Sequence, residues 1–329
     1  MTFNFETEKL VEELKKAKPK KVLVQLPEGI KKHSFEIEKI ISDLGIKVVF
    51  SGQTCWGGCC VSIEEAESVG ADLIVHFGHA KFIEVKFPVL YIEVRDELNL
   101  IPLLKKSLKS IKQFKSIGLP YSIQHRHDLK NIVKFYEENG KKVILSSKKG
   151  LVAYEGHIVG CQYEGLKEIN SKVDVFVIIG NNFHSMGAAI AVPKPVVLVD
   201  VYNDDIKVMK GVREKILKQR AISISKLKDA EKVGILIERK PGQKFGNANL
   251  LEKYFKKQGK QVVVINIDEM TQDKLMNFYN VDCFVELGCP RIAVDDFAKY
   301  EKPIVTFKEA LIAIGKKTWK EGLKTGFLW

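Results

Sequence analysis

An internal repeat runs three times along the 329 residues of this chain, and it restricts the fold to copies of one α/β unit. Each copy opens with a short apolar run: KKVLVQLPEG (20–29), FKSIGLPYS (114–122) and EKVGILIERKPG (231–242). A helix-like stretch follows and stops at Gly45, Gly140 and Gly259, the residue type that most readily ends a helix. A second apolar run comes at once: IKVVFS, KKVILSS and KQVVVINI. The third run recurs most closely, as ADLIVHFGHA, VDVFVIIGNN and VDCFVELGCP. There Asp72, Asp174 and Asp282 share one slot, and Gly78, Gly180 and Gly288 share another. A proline-led fourth run closes each copy: FPVLYIEV, KPVVLVDV and KPIVTFKE.

Short apolar runs alternating with helices predict parallel sheets covered by helices on both faces. The expected fold class is α/β: three repeated domains, each a small parallel sheet flanked by helices, arranged around a common centre. Their boundaries are placed at 1–100 (Cys59), 101–205 (Cys161) and 206–329 (Cys289). The linkers 95–113 and 203–229 both read as helical, with apolar residues at three-to-four spacing. The last segment, KEALIAIGKKTWKEGLKTGFLW, reads as one helix and an apolar tail. Phe327 and Trp329 are expected to dock on a neighbouring domain or subunit.

Hydrophobic content of 45% with 29% charged residues is that of a soluble globular protein. No apolar run approaches the ~20 residues that span a bilayer. The opening MTFNFETEKLVEELKK has no apolar export core, so a cytoplasmic location is expected. Net charge is +12, which fits an acidic partner or RNA, but lysines on solvated helix faces give the same sum. Aromatic residues are not interleaved with a basic cluster, so no direct nucleic-acid contact is expected.

Six cysteines without an export signal point to metal or redox use rather than disulfides. Ligands of open parallel sheets bind beyond the carboxyl ends of the strands. Cys59 and Cys161 follow the second strand of their copies and Cys289 follows the third, so all three lie at that edge. The offset breaks simple repeat symmetry. Gly57 and Gly58 precede Cys59, Gly160 precedes Cys161, and Gly288 and Pro290 flank Cys289. Cys283, in VDCFVEL, reads as core. Adjacent cysteines rarely bind one cluster, so one of Cys59 and Cys60 is a bystander, and CWGGCC lacks the Cys-x3-Cys-x2-Cys spacing of most radical S-adenosylmethionine enzymes. Three thiolates on one iron–sulfur cluster would leave one iron open for chemistry. Zinc is the rival; a closed zinc site needs four ligands, which His79 or His157 would have to complete.

The stretches VQLPEG, WGGCCVS with ADLIVHFGHA, VGCQYEG, FHSMGAAIA (183–191), KPGQ (240–243) and LGCPRIAVDD resemble the archaeal 2-(3-amino-3-carboxypropyl)histidine synthase family, the radical enzymes of the first step of diphthamide biosynthesis. WGGC departs from the family's more frequent aromatic-Gly-Ala-Cys by one small residue. The resemblance implies a homodimer whose three α/β domains hold a 4Fe–4S cluster on Cys59, Cys161 and Cys289. It implies that the open iron engages S-adenosylmethionine. Cleavage at the methionine γ-carbon then gives a 3-amino-3-carboxypropyl radical that adds to C2 of a histidine in translation elongation factor 2. The electron donor is unidentified.

Given that co-substrate, Arg291 is the candidate fork for the methionine carboxylate, with Asp295 or Asp296 as its structural alternative. Gln243, at the end of the first strand of copy three, is a candidate for the same group. Gln25 and Glu28 occupy the equivalent edge of copy one. His79 and His184 face the expected site, whereas His76, inside an apolar strand, reads as a core histidine. Two rival readings stand beside this one. A three-domain Lewis-acid enzyme like quinolinate synthase would use the same kind of cluster, and a basic RNA- or ribosome-binding protein would use none.

Overall fold

The computed structural model describes residues 3–295 and 300–325, so Asp296, Phe327 and Trp329 lie outside the described residues. The first repeat folds as strands Lys21–Gln25, Lys47–Phe50, Leu73–Phe77 and Val89–Ile92. In space they run second, first, third, fourth, and every pairing is parallel. The third repeat has the same order, with all strands parallel, in Lys232–Glu238, Gln261–Ile267, Cys283–Glu286 and Ile304–Thr306. The second repeat keeps the order in Ser116–Gly118, Lys142–Ile144, Val175–Gly180 and Val196–Asp200. It adds Asp205–Val208, antiparallel to Val196–Asp200, at the edge.

The glycines read as helix stops do that work. Gly45, Gly140 and Gly259 have φ of 77°, 73° and 79°, a region that costs other residues more. They follow helices Ser34–Ser42, Leu129–Glu138 and Ala248–Lys257. In the first of these Ile37 and Ile41 are buried, one turn apart, and helix Thr7–Ala17 buries Leu10 and Leu14 in the same way. All four pack into one cluster with Val22, Val24, Val75 and Phe77. Full burial of such side chains stabilises by roughly 1.5–3 kcal/mol each.

One aspartate per repeat joins the starts of the first and third strands. Asp72 Oδ2 accepts the backbone N–H groups of Lys20 and Lys21 at 2.7 and 3.0 Å. Asp174 Oδ2 accepts those of Lys115 and Ser116 at 3.0 and 2.8 Å, and the Ser116 hydroxyl at 2.9 Å. Asp282 Oδ2 accepts those of Glu231 and Lys232 at 3.1 and 2.8 Å. These bonds occupy N–H groups that no neighbouring strand reaches, and they set the strand register.

The linkers differ in part from expectation. Segment 95–113 contains helix Ile101–Ser110, but Arg95–Asp96 pairs antiparallel with Phe3–Asn4. Segment 203–229 contains helix Val212–Asp229, but its first part is the edge strand. Asp204 turns the chain there at φ 49°, and Lys207 Nζ reaches the buried Asp200 carboxylate at 2.6 Å. That charge pair favours a hairpin over a helical turn. The last segment forms two helices, Phe307–Ala313 and Trp319–Thr325, with Gly315 at φ 75° between them.

The chain divides into two compact units. One comprises 1–159, 164–181 and 197–208, and holds the first two sheets apart from Val196. The other comprises 160–163, 182–196 and 209–329, and holds the third sheet with two short excursions from the second repeat. Among the described residues no helix is long and apolar enough to cross a membrane.

A buried ion pair knits the second unit. Arg220 is 1% exposed; its Nε donates to Glu309 Oε1 at 2.7 Å and its Nη2 to the Ile304 carbonyl at 2.8 Å. Further bonds run to Glu309 Oε2 and the Ala293 carbonyl. Glu309 also accepts the Thr306 N–H at 2.9 Å, closing a capping box on helix Phe307–Ala313. Arg220→Met strands a buried carboxylate and is expected to cost about 3–5 kcal/mol, read by urea unfolding. The two backbone N–H groups hold the Asp72 carboxyl below its ordinary value of 3.8. A depressed folded pKa gives stability that is complete above the unfolded pKa and is lost as pH falls through the folded one. The urea midpoint is therefore expected to fall on acidification below the carboxylate range, and less steeply in Asp72→Asn.

Candidate functional site

In the first unit, the carboxyl edge of the sheet holds a loop of cysteines against two histidines. Gln25, fully buried at the end of its strand, donates from Nε2 to the Cys60 carbonyl at 2.6 Å and to Ser62 Oγ at 2.9 Å. Its Oε1 accepts from the Ser62 N–H at 3.3 Å and faces His76 Nδ1 at 3.0 Å. Both ends of this amide thus tie the loop to the sheet. Glu28 is half-exposed, pairs with Lys31 at 2.9 Å and accepts the Cys55 N–H at 3.3 Å. His76 Nε2 lies 3.0 Å from His79 Nδ1 and 3.9 Å from Cys55 Sγ. Burial lowers the His76 pKa well below the usual imidazole value and brings His79 to about 4, so both rings are neutral at pH 7. Gly58 packs against the Ala80 carbonyl, which a Cβ would approach to 2.7 Å. His157 is buried near Tyr121 and Tyr154.

The second unit brings Cys161 and Cys289 into one assembly of loops. The Tyr163 hydroxyl shares its one proton between the Gly160 carbonyl at 3.0 Å and the His184 carbonyl at 3.3 Å. This seats the Cys161 loop on helix Asn182–Ala191. The fit needs Gly187: a Cβ there would stand 1.9 Å from the Tyr163 hydroxyl and 2.4 Å from Arg291 Nη1. Arg291 is 3% exposed. Its Nε donates to Asp295 Oδ2 at 2.8 Å, its Nη2 to the Phe183 carbonyl at 2.7 Å, and its guanidinium carbon lies 4.3 Å from the Phe183 ring centre. Among the described residues its Nη1 has no hydrogen-bond partner. The Asp295 pairing thus anchors one side of the fork and leaves one donor for an anion. The His184 ring lies edge-on to Phe183, with centroids 5.6 Å apart.

Two acidic residues at strand ends, not singled out in the sequence, hold the Cys289 turn. The Cys289 N–H lies close enough to Glu238, and the Gly288 N–H to Glu286, to favour the charged form of each carboxyl. Burial, with Glu238 and Glu309 nearby, pushes the Glu286 carboxyl up to about 8, so it is protonated at pH 7. Glu238 pairs with Lys240 at 3.0 Å. Gln243 is 2% exposed, and with its amide nitrogen turned to Glu238 it donates to Oε1 at 2.9 Å. The signal for both acids was present: a glutamate closes each of the apolar runs ILIE and FVE.

Exposure sorts the six cysteines. Cys59, Cys161 and Cys289 are partly exposed, whereas Cys55, Cys60 and Cys283 are buried. Burial pushes the Cys55 and Cys283 thiols up to about 12. Cys283 sits in its strand with Sγ 3.3 Å from the Pro303 carbonyl, a core position. The partly exposed three are thus the thiols open to a ligand, and the buried three are not.

The family of diphthamide synthesis proteins matches the chain over residues 26–324. A 2-(3-amino-3-carboxypropyl)histidine synthase of Pyrococcus horikoshii is 28% identical over 93% of this chain and 89% of its own length. The enzyme of that name from Methanocaldococcus jannaschii is 31% identical over 93% and 88%. The crystal structure of Dph2 from Pyrococcus horikoshii with a 4Fe–4S cluster superposes with a TM-score of 0.85 at 27% identity, covering 96% of this chain and 92% of that one. By its sequence, its three like-ordered sheets and this likeness over nearly its whole length, the chain belongs to the family of diphthamide synthesis proteins.

Proposed function

We propose that this chain is a 3-amino-3-carboxypropyl transferase that cleaves S-adenosylmethionine at the γ-carbon–sulfur bond. The acceptor is C2 of a histidine of translation elongation factor 2. Its resident cofactor is a 4Fe–4S cluster on Cys59, Cys161 and Cys289, and its working form is a homodimer of three-domain chains split at 1–100, 101–205 and 206–329. The observation that carries the reading is the exposure split among the six cysteines, which separates these three thiols from the buried ones. The kinship with 2-(3-amino-3-carboxypropyl)histidine synthases and with a 4Fe–4S-containing structure supports it.

When bound, the cluster supplies an electron and an open iron to the sulfonium. The chain's own residues position and enclose. Arg291, braced by Asp295 and the Phe183 carbonyl, offers its Nη1 to the methionine carboxylate. A rigid hold on the amino-acid end would fix which carbon–sulfur bond is presented for cleavage. Glu238 and Glu286 keep the Cys289 turn in place, and Gln243 bears on Glu238. Gln25 holds the Cys60 loop, Glu28 and His79 stand beside it, and His184 stands beside Phe183; these four are proposed as walls of the site. An electron donor and the elongation factor complete the set of partners.

Anaerobic protein reconstituted with iron and sulfide, reduced with dithionite and given S-adenosylmethionine is expected to release methylthioadenosine. Cys161→Ala is expected to abolish it. Deoxyadenosine would point to conventional cleavage, and neither product with an intact cluster would favour a Lewis-acid enzyme. Arg291→Lys keeps the charge but loses the fork, and is expected to weaken S-adenosylmethionine binding by about tenfold or more while the cluster absorbance is retained.

A further inference from the structure

We propose that Cys55, His76 and His79 form a second metal site, for a zinc-like divalent ion, distinct from the three cysteines assigned to the cluster. Their ligand atoms all lie within 4.8 Å of one another. Two of the separations are 3.0 Å between the imidazole nitrogens and 3.9 Å between Cys55 Sγ and His76 Nε2. Ligands of a tetrahedral zinc at ~2.0–2.3 Å stand roughly 3.3–3.7 Å apart, so small side-chain shifts centre an ion among them. One thiolate and two imidazoles suit zinc better than magnesium or calcium, which take oxygen ligands.

The surroundings select the ligating form of His76. Gln25 Nε2 is spent on the Cys60 carbonyl and Ser62 Oγ, so the Gln25 atom facing His76 Nδ1 is the acceptor Oε1. His76 therefore donates from Nδ1 and presents the Nε2 lone pair to His79 and Cys55. This arrangement, an oriented imidazole backed by a hydrogen-bond acceptor, is the usual support of a metal-bound histidine. In the metal-free state His79 Nδ1–H donates to His76 Nε2. Binding moves that proton to His79 Nε2 and releases the Cys55 thiol proton to solvent, so one proton leaves per ion bound. Three protein ligands leave a fourth position open. The ion would pin the loop that carries Cys59 to the end of strand Leu73–Phe77.

The site is tested with cobalt(II) as the probe on the full chain bearing Cys59→Ser, Cys161→Ser and Cys289→Ser, under anaerobic conditions. One equivalent is expected to bind with a thiolate-to-cobalt band and the intense visible bands of a four-coordinate ion. Adding Cys55→Ser is expected to remove the thiolate band, and His79→Ala to weaken binding by about tenfold or more. Lack of the band in a triple variant with wild-type circular dichroism, or its survival in Cys55→Ser, overturns the proposal. Should the triple variant not fold, metal content decides. Cluster-loaded wild type offered zinc is expected to hold about one zinc beside its iron, and Cys55→Ser to keep the iron and lose the zinc. A wild type that takes up no zinc overturns it equally.

Discussion

Three aspartates, each accepting two backbone N–H groups, hold the architecture. Asp72, Asp174 and Asp282 sit immediately before a buried third strand and reach sideways to the start of the first strand. A parallel sheet this small has few ladder bonds, and its strands need an external reference for register. A one-residue slip would exchange the two faces of each strand. With the starts aligned, Gln25 lies beside His76 in the first repeat, and in the third Glu286 lies beside Leu236, two residues before Glu238. The carboxyl ends of these strands carry Gln25 and His76 in one sheet and Glu238 and Glu286 in another.

The carboxyl edges then use one device in two forms. A polar side chain at a buried strand end takes hold of the backbone of a cysteine loop. Gln25 grips the Cys60 carbonyl, while Glu238 and Glu286 face the N–H groups of Cys289 and Gly288. The choice follows from what each loop presents: a carbonyl calls for a donor, and N–H groups call for acceptors. Burial of these grips is what makes them firm. It keeps Glu286 protonated and the two histidines neutral, so the edge is less charged at pH 7 than its composition suggests.

Much of the fold was legible. The helix stops at Gly45, Gly140 and Gly259 and the apolar runs of all three sheets lie where the repeat put them, because both depend on local backbone preference and strand burial. The edge strand Asp205–Val208 was not legible, because its partner is a buried charge, Asp200, that no periodicity reveals. Of the site, Arg291 proved to be braced by Asp295, one of the two partners its sequence suggested. Cys283 is core, as VDCFVEL implied. His76 was read as a core histidine; it is buried, but its Nε2 faces His79 and Cys55, a relation between residues on different elements.

By itself the sequence determined the repeat: four strands, a helix stop and an aspartate in each copy, and cysteines beyond the strand ends. These are properties of local patterning, which each segment carries alone. Only the tertiary structure decided which loops keep company. The Cys161 loop and helix Asn182–Ala191 are second-repeat sequence, yet they pack in the unit of the third sheet, through Tyr163, Gly187 and Arg291. Close packing made that choice, since a backbone approach at Gly187 and a guanidinium buried against Phe183 exist only when distant segments meet.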